Sequence, residues 1–276
     1  MSTNNKSRFT VIISTCDKFS DLWDANIYFL NKNFKSYNED VKVLLVTDDV
    51  TNRKFDGVEI ISAGNGTEIT ERLKVALNTV ETQYILFLLD DYFLTEKIDM
   101  NLLVDDMEFM DSESVDYLRL YPASKHYLKK EGATPVVGFP LFYIRNIEKG
   151  DYKISLYPGL WKTDFMRMTL EQKMNAWQYE VALTEMARTL NAKCAISNHN
   201  ELPFLDVIRK GKLLNKANNY LKNYPNFKLD RTVMKRKDEF LIWFKTRLRH
   251  WLPEGVFRAL KKQMIKQGHE FYSDLN

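Results

Sequence analysis

Three apolar segments that do not alternate with polar residues constrain the fold of this chain most strongly. They cover residues 9–14, 41–46 and 84–89, and helical patterns separate them. A strand that is apolar on both faces must be covered on both faces, which is typical of a parallel sheet with crossover helices. We therefore expect an α/β fold with a Rossmann-like, mostly parallel central sheet and flanking helices.

The remaining pattern predicts further elements around this sheet. Helices are predicted over residues 21–33, 67–80, 99–110 and 177–190, and strands over residues 58–61, 115–120 and 194–197. Residues 136–144 and 152–156 are predicted to pair as antiparallel strands, ahead of a loop over residues 157–161.

Composition narrows the class of protein. Hydrophobic residues make up 45% of the 276 residues, which excludes general disorder. Cys16 and Cys194 are far apart in the chain, so we expect a reducing compartment and no disulfide framework. The first ten residues are polar and no apolar run approaches the ~20 residues that span a bilayer, so we expect a cytoplasmic protein.

Polar residues follow the predicted strands where each strand ends. Thr15 and Asp17 follow the first, Asp48 the second, and Asp90 and Asp91 the segment 84–89. In open parallel sheets, ligands bind beyond the carboxyl ends of the strands. Two adjacent carboxylates suit a hard cation, Mn²⁺ or Mg²⁺, and such a cation neutralises the charge of a departing nucleoside diphosphate.

Residues 66–93, GTEITERLKVALNTVETQYILFLLDDYF, carry a family resemblance. They resemble the segment of family 2-like bacterial glycosyltransferases of the GT-A fold in which a helix leads to a strand ending in Asp-x-Asp. The resemblance implies that Asp91 is the metal-binding last Asp of that motif and that Asp90 takes its middle position and contacts the nucleotide-sugar. Leu89 stands where the first Asp usually stands, and Arg72 falls near the family's helical arginine.

The first two strand ends resemble the nucleotide-binding loops of the same family. These loops are VIISTCDKF and VTDD, and the resemblance implies that Thr15, Asp17 and Asp48 contact the base and ribose. An ionised Asp is also a strong acceptor for the hydroxyls of a ribose. The alternative is that these residues only form turns after their strands.

A second block, LYPGLWK followed by NAWQYE, resembles a Pro-x-x-Trp and Trp-x-x-Glu pairing of some bacterial polysaccharide transferases. It implies that Glu180 is the general base and that Trp161 and Trp177 bind the acceptor. An aromatic setting raises the pKa of a carboxyl toward the range in which it removes protons. The alternative places Trp177 in the core and Glu180 toward solvent. His199 is a further candidate metal ligand.

The C-terminal region is basic and amphipathic. Residues 231–267 hold eleven lysines and arginines against three acidic residues, whereas the whole chain has a net charge of +3. Aromatic residues recur there at helical spacing, which predicts two helices lying on an anionic membrane surface. The alternative is that their aromatic face packs on the catalytic domain or on a second subunit of a homo-oligomer.

Together these patterns predict a GT-A catalytic domain over residues 1–225 and a basic helical tail over residues 226–276. Residues 1–120 are assigned to nucleotide-sugar binding and residues 121–225 to the acceptor. The predicted enzyme is a metal-dependent, inverting glycosyltransferase, peripheral on the inner face of the plasma membrane. It uses a nucleoside-diphospho-sugar donor, a UDP-sugar in the first instance. The acceptor is lipid-linked or an oligosaccharide, in capsule, lipopolysaccharide or exopolysaccharide synthesis.

Two alternatives come from other classes. A nucleotidyltransferase also holds a metal with acidic strand ends, but residues 15–19 contain no glycine for a phosphate loop. A non-catalytic nucleic-acid-binding protein would use the basic tail, and its binding would depend steeply on salt. The glycosyltransferase prediction includes no nucleic-acid partner.

Overall fold

The computed structural model describes residues 7–48, 51–227, 229–251 and 256, with the backbone alone over residues 245–251. The chain divides into two compact units, Met1–Leu205 and Asp206–Asn276. The predicted boundary at residue 225 therefore lies inside the second unit.

Strands β1 to β10 form one sheet, apart from β5. Their bounds are β1 Phe9–Ser14, β2 Val43–Thr47, β3 Glu59–Ser62, β4 Tyr84–Leu89, β5 Tyr92–Leu94, β6 Tyr117–Arg119, β7 Thr134–Val136, β8 Phe139–Ile144, β9 Gly159–Lys162 and β10 Cys194–Ser197. The helices of the first unit are α1 Trp23–Asn33, α2 Ile69–Leu77, α3 Met100–Ser112, α4 Lys125–Lys130, α5 Thr163–Met168 and α6 Ala176–Thr189. A 3₁₀ turn, Asp17–Leu22, leads into α1.

The nine-stranded sheet has the order β3-β2-β1-β4-β9-β6-β10-β8-β7. Strands β3, β2, β1 and β4 are parallel neighbours, and β6 and β10 are parallel to each other. Strands β9 and β8 run antiparallel to their neighbours. Seven of the nine strands therefore point the same way, which confirms the predicted α/β class and the mostly parallel sheet.

Two hydrophobic cores cover the two faces of the sheet. Along β1, Val11 and Ile13 belong to one core, which includes residues of α1 and α3, and Ile12 belongs to the other, which includes residues of α2, α5 and α6. Burial on both faces explains why β1 and β4 are apolar throughout and why their predicted bounds are confirmed. The carboxyl ends of β1, β2 and β4 consequently lie together at one edge.

Strand β9 corrects the sequence prediction. Residues 157–161 were predicted as a loop and residues 152–156 as a strand, whereas the strand is Gly159–Lys162. It lies between β4 and β6, with Gly159 opposite both Phe87 and Arg119. A Cβ on Gly159 would meet the carbonyl oxygen of Leu118 at 2.9 Å. Glycine is therefore required here because the neighbouring strand β6 comes too close for a side chain, and not because the chain turns.

The second unit begins inside β11, Phe204–Asp206, which pairs with β5. It continues through β12 Ile208–Arg209, β13 Lys212–Leu213, α7 Asn215–Leu221 and α8 Arg236–Trp251. The Asn215 side chain donates from Nδ2 to Glu239 of α8 at 2.8 Å and to the carbonyl of Met234 at 2.8 Å. Helix α8 confirms the first predicted tail helix. The second, beyond Gly255, lies outside the described residues.

Among the described residues, no helix is long and apolar enough to cross a membrane.

Candidate active site at the carboxyl edge of the sheet

Asp90, directly after β4, is buried and held by a hydrogen-bonded chain. Its Oδ2 accepts a hydrogen bond from the Thr15 hydroxyl, and that hydroxyl accepts one from Trp23 Nε1 at 2.7 Å. Asn26 Nδ2 donates to the carbonyls of Asp90 and Tyr92 at 3.0 and 3.1 Å. Helix α1 thereby fixes both the side chain and the backbone of the turn. The Thr15 side chain is buried and its hydroxyl donates to Asp90. Its predicted contact with the nucleoside stays a prediction.

Asp17 and Asp48 connect the ends of β1 and β2. The Asp17 N–H donates to Asp48 Oδ1 at 2.7 Å, and the Thr47 hydroxyl donates to the same oxygen at 3.3 Å. Among the described residues, Asp48 Oδ2 accepts no hydrogen bond. The side chain of Asp17 is exposed and that of Asp48 is half-buried. Both carboxylates are therefore able to accept hydrogen bonds from a ligand at this edge.

The charges that act on the Cys16 thiol come from three elements, which shows that charged groups meet at this edge. Burial raises the pKa of this thiol, the negative charges of Asp90 and Asp48 raise it further, and the positive charge of Arg72 opposes them. The sequence analysis used Cys16 only to predict a reducing compartment. Its position between Thr15 and Asp17, two candidate site residues, was the signal that could have placed it at the site.

Arg72 supplies a positive charge at this edge. It lies on α2, is 9% exposed, and its Nη1 donates to the carbonyl of Thr67. Its Nε is buried and has no hydrogen-bond partner among the described residues. A buried guanidinium with an unused donor is suited to an anionic ligand. The structure thus brings Arg72 together with Asp90 and Asp48 around Cys16.

Asp91 is half-buried at the same turn, beside the buried Asp90. The described residues contain no group of three or more His, Cys, Asp or Glu side chains that could hold a metal ion. Mg²⁺ and similar cations are commonly bound by one or two carboxylates and by substrate phosphates. The donor set therefore fits a cation shared with a diphosphate and does not fit a site built from protein ligands alone.

His199 does not lie near Asp90 and Asp91. It follows β10, and three strand spacings of about 4.8 Å separate β10 from β4. Its ring packs against Phe142 of β8, on the far side of β10, at a centroid distance of 5.3 Å. The predicted third metal ligand thus lies about 14 Å along the sheet from the strand that carries Asp91.

Glu180 lies on α6, which packs against α2. Its Oε1 accepts a hydrogen bond from the Leu156 N–H at 3.1 Å, and among the described residues Oε2 accepts none. Burial raises the pKa of the Glu180 carboxyl, while the Leu156 N–H and the charge of Arg119 oppose the rise. A carboxylate with one fixed oxygen, one available oxygen and a raised pKa has the properties of a general base.

The two predicted acceptor tryptophans have opposite environments. Trp161 is 0% exposed in β9 and packs on Tyr117 and Phe87. The prediction that it binds the acceptor is wrong, because it presents no surface to a saccharide. Trp177 is 61% exposed on α6, one helical turn before Glu180. Its predicted contact with the acceptor is compatible with this exposure and stays a prediction.

An aromatic cluster at the ends of β4 and β6 was missed by the sequence analysis. Tyr157 stacks on Tyr121 with ring centroids 5.5 Å apart and on Tyr92 at 6.0 Å. The Arg119 guanidinium lies 5.1 and 5.2 Å from the ring centroids of Tyr121 and Tyr157. These residues come from separate segments, so only the pairing of β9 with β4 and β6 brings them together.

Comparison with known proteins gives the fold and no closer relationship. No protein-family model matches the sequence, and no curated protein sequence matches it. Mannosyltransferase PcManGT from Pyrobaculum calidifontis, solved with GDP-Man and Mn²⁺, has 10% identity and a TM-score of 0.51, over 75% of this chain and 59% of that one. TarS 1-349 from S. aureus has 19% identity and a TM-score of 0.47, over 72% of this chain and 60% of that one.

A cytidylyltransferase from Leptospira borgpetersenii has 12% identity and a TM-score of 0.40, over 83% of this chain and 99% of that one. This chain thus spans about three fifths of the TarS and PcManGT chains. The likeness to PcManGT, together with the strand order and the layers described above, confirms the resemblance at the level of the fold. The first unit has a GT-A-like fold.

Proposed function

We propose that this chain is a metal-dependent glycosyltransferase that uses a nucleoside-diphospho-sugar donor. The observation that carries the proposal is the meeting of Asp48, Asp90 and Arg72 around Cys16, beside Asp91, at the carboxyl edge of the sheet. PcManGT, which shares the fold, was solved with GDP-Man and Mn²⁺. TarS was solved with UDP-GlcNAc. A UDP-sugar or a GDP-sugar is the donor class to test first.

In this proposal the donor side divides its tasks among a few residues. Asp17 and Asp48 accept hydrogen bonds from the nucleoside, and the positive charge of Arg72 attracts the negatively charged diphosphate. Asp91, with Asp90 beside it, would hold Mn²⁺ or Mg²⁺, which supplies positive charge to the departing diphosphate. Thr15 and Trp23 keep Asp90 in place through their hydrogen bonds.

The acceptor side supplies the base. Glu180 Oε2 takes the proton of an acceptor hydroxyl while the hydroxyl oxygen bonds to the anomeric carbon of the donor sugar. The bond from that carbon to the phosphate oxygen breaks, and the nucleoside diphosphate leaves with the bonding electrons. Attack opposite the leaving group inverts the configuration at the anomeric carbon. Support for this role comes from the raised pKa of Glu180 and from its single hydrogen bond to Leu156.

The tail is proposed to attach the enzyme to an anionic membrane surface, where a lipid-linked acceptor would be found. In α8, Phe240 and Trp243 are more than half exposed and their rings are 5.7 Å apart. Basic residues flank them in sequence from Lys235 to Lys245. Exposed aromatic residues among lysines and arginines are typical of interfacial helices. The same exposed face would also serve a homo-oligomer.

The nucleotidyltransferase alternative finds less support. After β1 the chain enters the 3₁₀ turn Asp17–Leu22, which contains no glycine. A phosphate loop of that class places several backbone N–H groups around the phosphates, and glycine permits their close approach. Here the Asp17 N–H is instead used by Asp48.

The donor site is tested by calorimetric titration with UDP, GDP and CMP, each with and without Mn²⁺. We expect one nucleoside diphosphate to bind in a metal-dependent manner. In Asp91→Ala this binding should weaken by at least about 100-fold, since two charge-assisted contacts through the cation are lost.

Asp164→Ala is the matched control. It removes a 90% exposed carboxylate that pairs with Arg167 of its own helix, and it should leave nucleotide binding unchanged. Absence of binding by every nucleotide, or equal metal-dependent binding by Asp91→Ala, would refute the proposed donor site.

A further inference from the structure

Arg119, the last residue of β6, lies against aromatic rings. Its guanidinium carbon lies 5.1 Å from the ring centroid of Tyr121, 5.2 Å from that of Tyr157 and 5.9 Å from that of Tyr127. The rings of Tyr121 and Tyr157 stack on each other with an angle of 8° between their planes, and the guanidinium lies beside this pair. Cation–π attraction to the rings holds the guanidinium and uses none of its N–H donors, which stay available to an acceptor.

The described residues provide no such acceptor. The Arg119 side chain makes no hydrogen bond or ion pair with any of them, and its Nε is buried without a partner. Each other arginine of the same unit donates at least one side-chain hydrogen bond. Arg145, the most buried, donates to Glu131 and to the carbonyl of Lys153, and Arg188 donates to Glu185. A fixed cation with unused N–H donors is suited to a planar or tetrahedral anion that accepts two hydrogen bonds.

The position of Arg119 identifies which substrate would carry that anion. In the sheet, Gly159 of β9 lies between Arg119 and Phe87 of β4, so Arg119 stands two strands from the strand that ends at the Asp90–Asp91 turn. Its charge acts on Glu180, the proposed base. Arg72, in contrast, acts on Cys16 at the donor edge. Arg119 thus lies on the acceptor side of the sheet.

We propose that Arg119, Tyr121 and Tyr157 bind a negatively charged acceptor saccharide. A sugar ring packs on the exposed face of Tyr121, and a carboxylate or phosphate group of the acceptor accepts hydrogen bonds from the Arg119 guanidinium. This inference rests on the proposed glycosyltransferase function and gives its acceptor a chemical class. The acceptor hydroxyl then lies within the neighbourhood of Glu180.

The test measures binding of small saccharide probes to the full chain by ligand-observed NMR, with and without UDP and Mn²⁺. Galacturonate is compared with galactose, and glycerol 3-phosphate with glycerol, so that the two arms separate a carboxylate from a phosphate. We expect at least one anionic probe to bind about tenfold or more tightly than its neutral counterpart. In Arg119→Met this preference should disappear, and nucleotide binding should be unchanged.

Arg8→Met is the matched control. It also removes an arginine from a tyrosine face, that of Tyr84, but Arg8 is paired with Asp111 and lies before β1, at the opposite edge of the sheet. It should keep the preference for the anionic probe. If Arg119→Met does not fold, as judged by circular dichroism, Arg119→Lys takes its place. Lysine keeps the charge and loses the planar pair of donors, so the preference should fall several-fold.

Equal binding of anionic and neutral probes by the wild type would overturn the inference, and so would a preference that survives in the Arg119 variant. Loss of nucleotide binding in Arg119→Met would assign the arginine to the donor diphosphate instead and would also overturn it. A chain that binds no nucleotide but shows an Arg119-dependent preference without UDP would refute the proposed function and retain the anion site.

Discussion

The proposed donor edge and the proposed acceptor side of this molecule are built in different ways. At the donor edge, side chains from several strand ends are linked to one another, since Trp23 donates to Thr15, Thr15 donates to Asp90, and Asp48 accepts from Asp17. On the acceptor side, Glu180 is held by a single backbone N–H and the other polar neighbour, Arg119, is held by cation–π attraction to tyrosine rings.

This difference matches what each side must recognise. A nucleoside diphosphate presents the same phosphates and ribose whichever sugar it carries, so a rigid, hydrogen-bonded edge serves every turnover. An acceptor saccharide varies more in shape, and aromatic faces bind sugar rings without demanding one hydrogen-bond pattern. Changes at the donor edge should therefore disturb both folding and nucleotide binding, whereas changes on the acceptor side should disturb acceptor binding and turnover and leave folding and nucleotide binding unchanged.

The largest effect expected in a test of this comparison is that of Glu180→Gln. The substitution keeps the size of the side chain and an oxygen that can accept from Leu156, but it removes the proton acceptor. We expect kcat to fall by about 10²–10⁴-fold, which is the usual contribution of a general base, while nucleotide binding and stability change little. Turnover with the best donor, measured beside calorimetry with its nucleoside diphosphate, checks both halves of the expectation.

The pH dependence of the wild type provides an independent readout of the same residue. A general base must be deprotonated, so kcat/KM should fall as the pH is lowered through the pKa of Glu180. Because burial raises that pKa, the acid limb should lie above the ordinary glutamate value of about 4.3. In Glu180→Gln the limb should be absent. An acid limb that persists unchanged in this variant would assign the base to another group.

The two sides also differ in how much of their structure the sequence predicted. Strands β1 and β4 have their predicted bounds because parallel strands buried on both faces are mostly apolar and do not alternate with exposed polar residues. Strand β9 was missed because Pro158 and Gly159 are typical of turns, and only the close contact of Gly159 with the Leu118 carbonyl explains the glycine. Local pattern thus described the donor edge, whereas β9 depends on packing between distant segments.

The site residues follow the same division. The aspartates at the ends of β2 and β4 could be selected from sequence, since residues that directly follow parallel strands meet at one edge. Arg119 could not, because a lysine or arginine at a strand end is common and its significance lies in the absence of an acceptor around it. Whether a tryptophan is buried or exposed also depends on the tertiary fold, and for Trp161 the sequence suggested the wrong environment.

A comparison of the two tryptophans is expected to give the next largest effect. Trp161→Ala removes a fully buried ring that packs on Tyr117 and Phe165, and it should lower the free energy of unfolding by about 3–5 kcal/mol. Trp177→Ala removes an exposed ring and should change stability by less than about 0.5 kcal/mol, with any loss confined to the acceptor KM.

Urea denaturation followed by circular dichroism checks the stabilities, because tryptophan fluorescence would itself be altered by the substitutions. The expectation fails if Trp177→Ala is as destabilising as Trp161→Ala. Such a result would mean that the outer face of α6 is covered in solution and is not available to a saccharide.

The smallest effect concerns the hydrogen-bonded chain that distinguishes the donor edge. Thr15→Val removes the hydroxyl that accepts from Trp23 Nε1 and donates to Asp90, so the Asp90 carboxylate loses the hydrogen bond from Thr15 and the indole N–H loses the Thr15 oxygen. The free energy of unfolding should fall by about 1–3 kcal/mol, the usual cost of removing one partner of a buried hydrogen bond. Nucleotide binding should weaken as well, because Asp90 is no longer held in position.

Thr10→Val is the matched control for this substitution, since it changes another buried threonine of the same segment at the opposite edge of the sheet. Within the part of the chain that the structure describes, the Thr10 hydroxyl accepts a hydrogen bond only from the neutral Thr82 hydroxyl, at 2.9 Å. Its loss should cost about 0.5–1.5 kcal/mol and leave nucleotide binding unchanged. If the two variants have equal stability and equal nucleotide affinity, the chain from Trp23 to Asp90 does not organise the donor edge. The contrast between a rigid donor side and an adaptable acceptor side then rests on Arg119 and Glu180 alone.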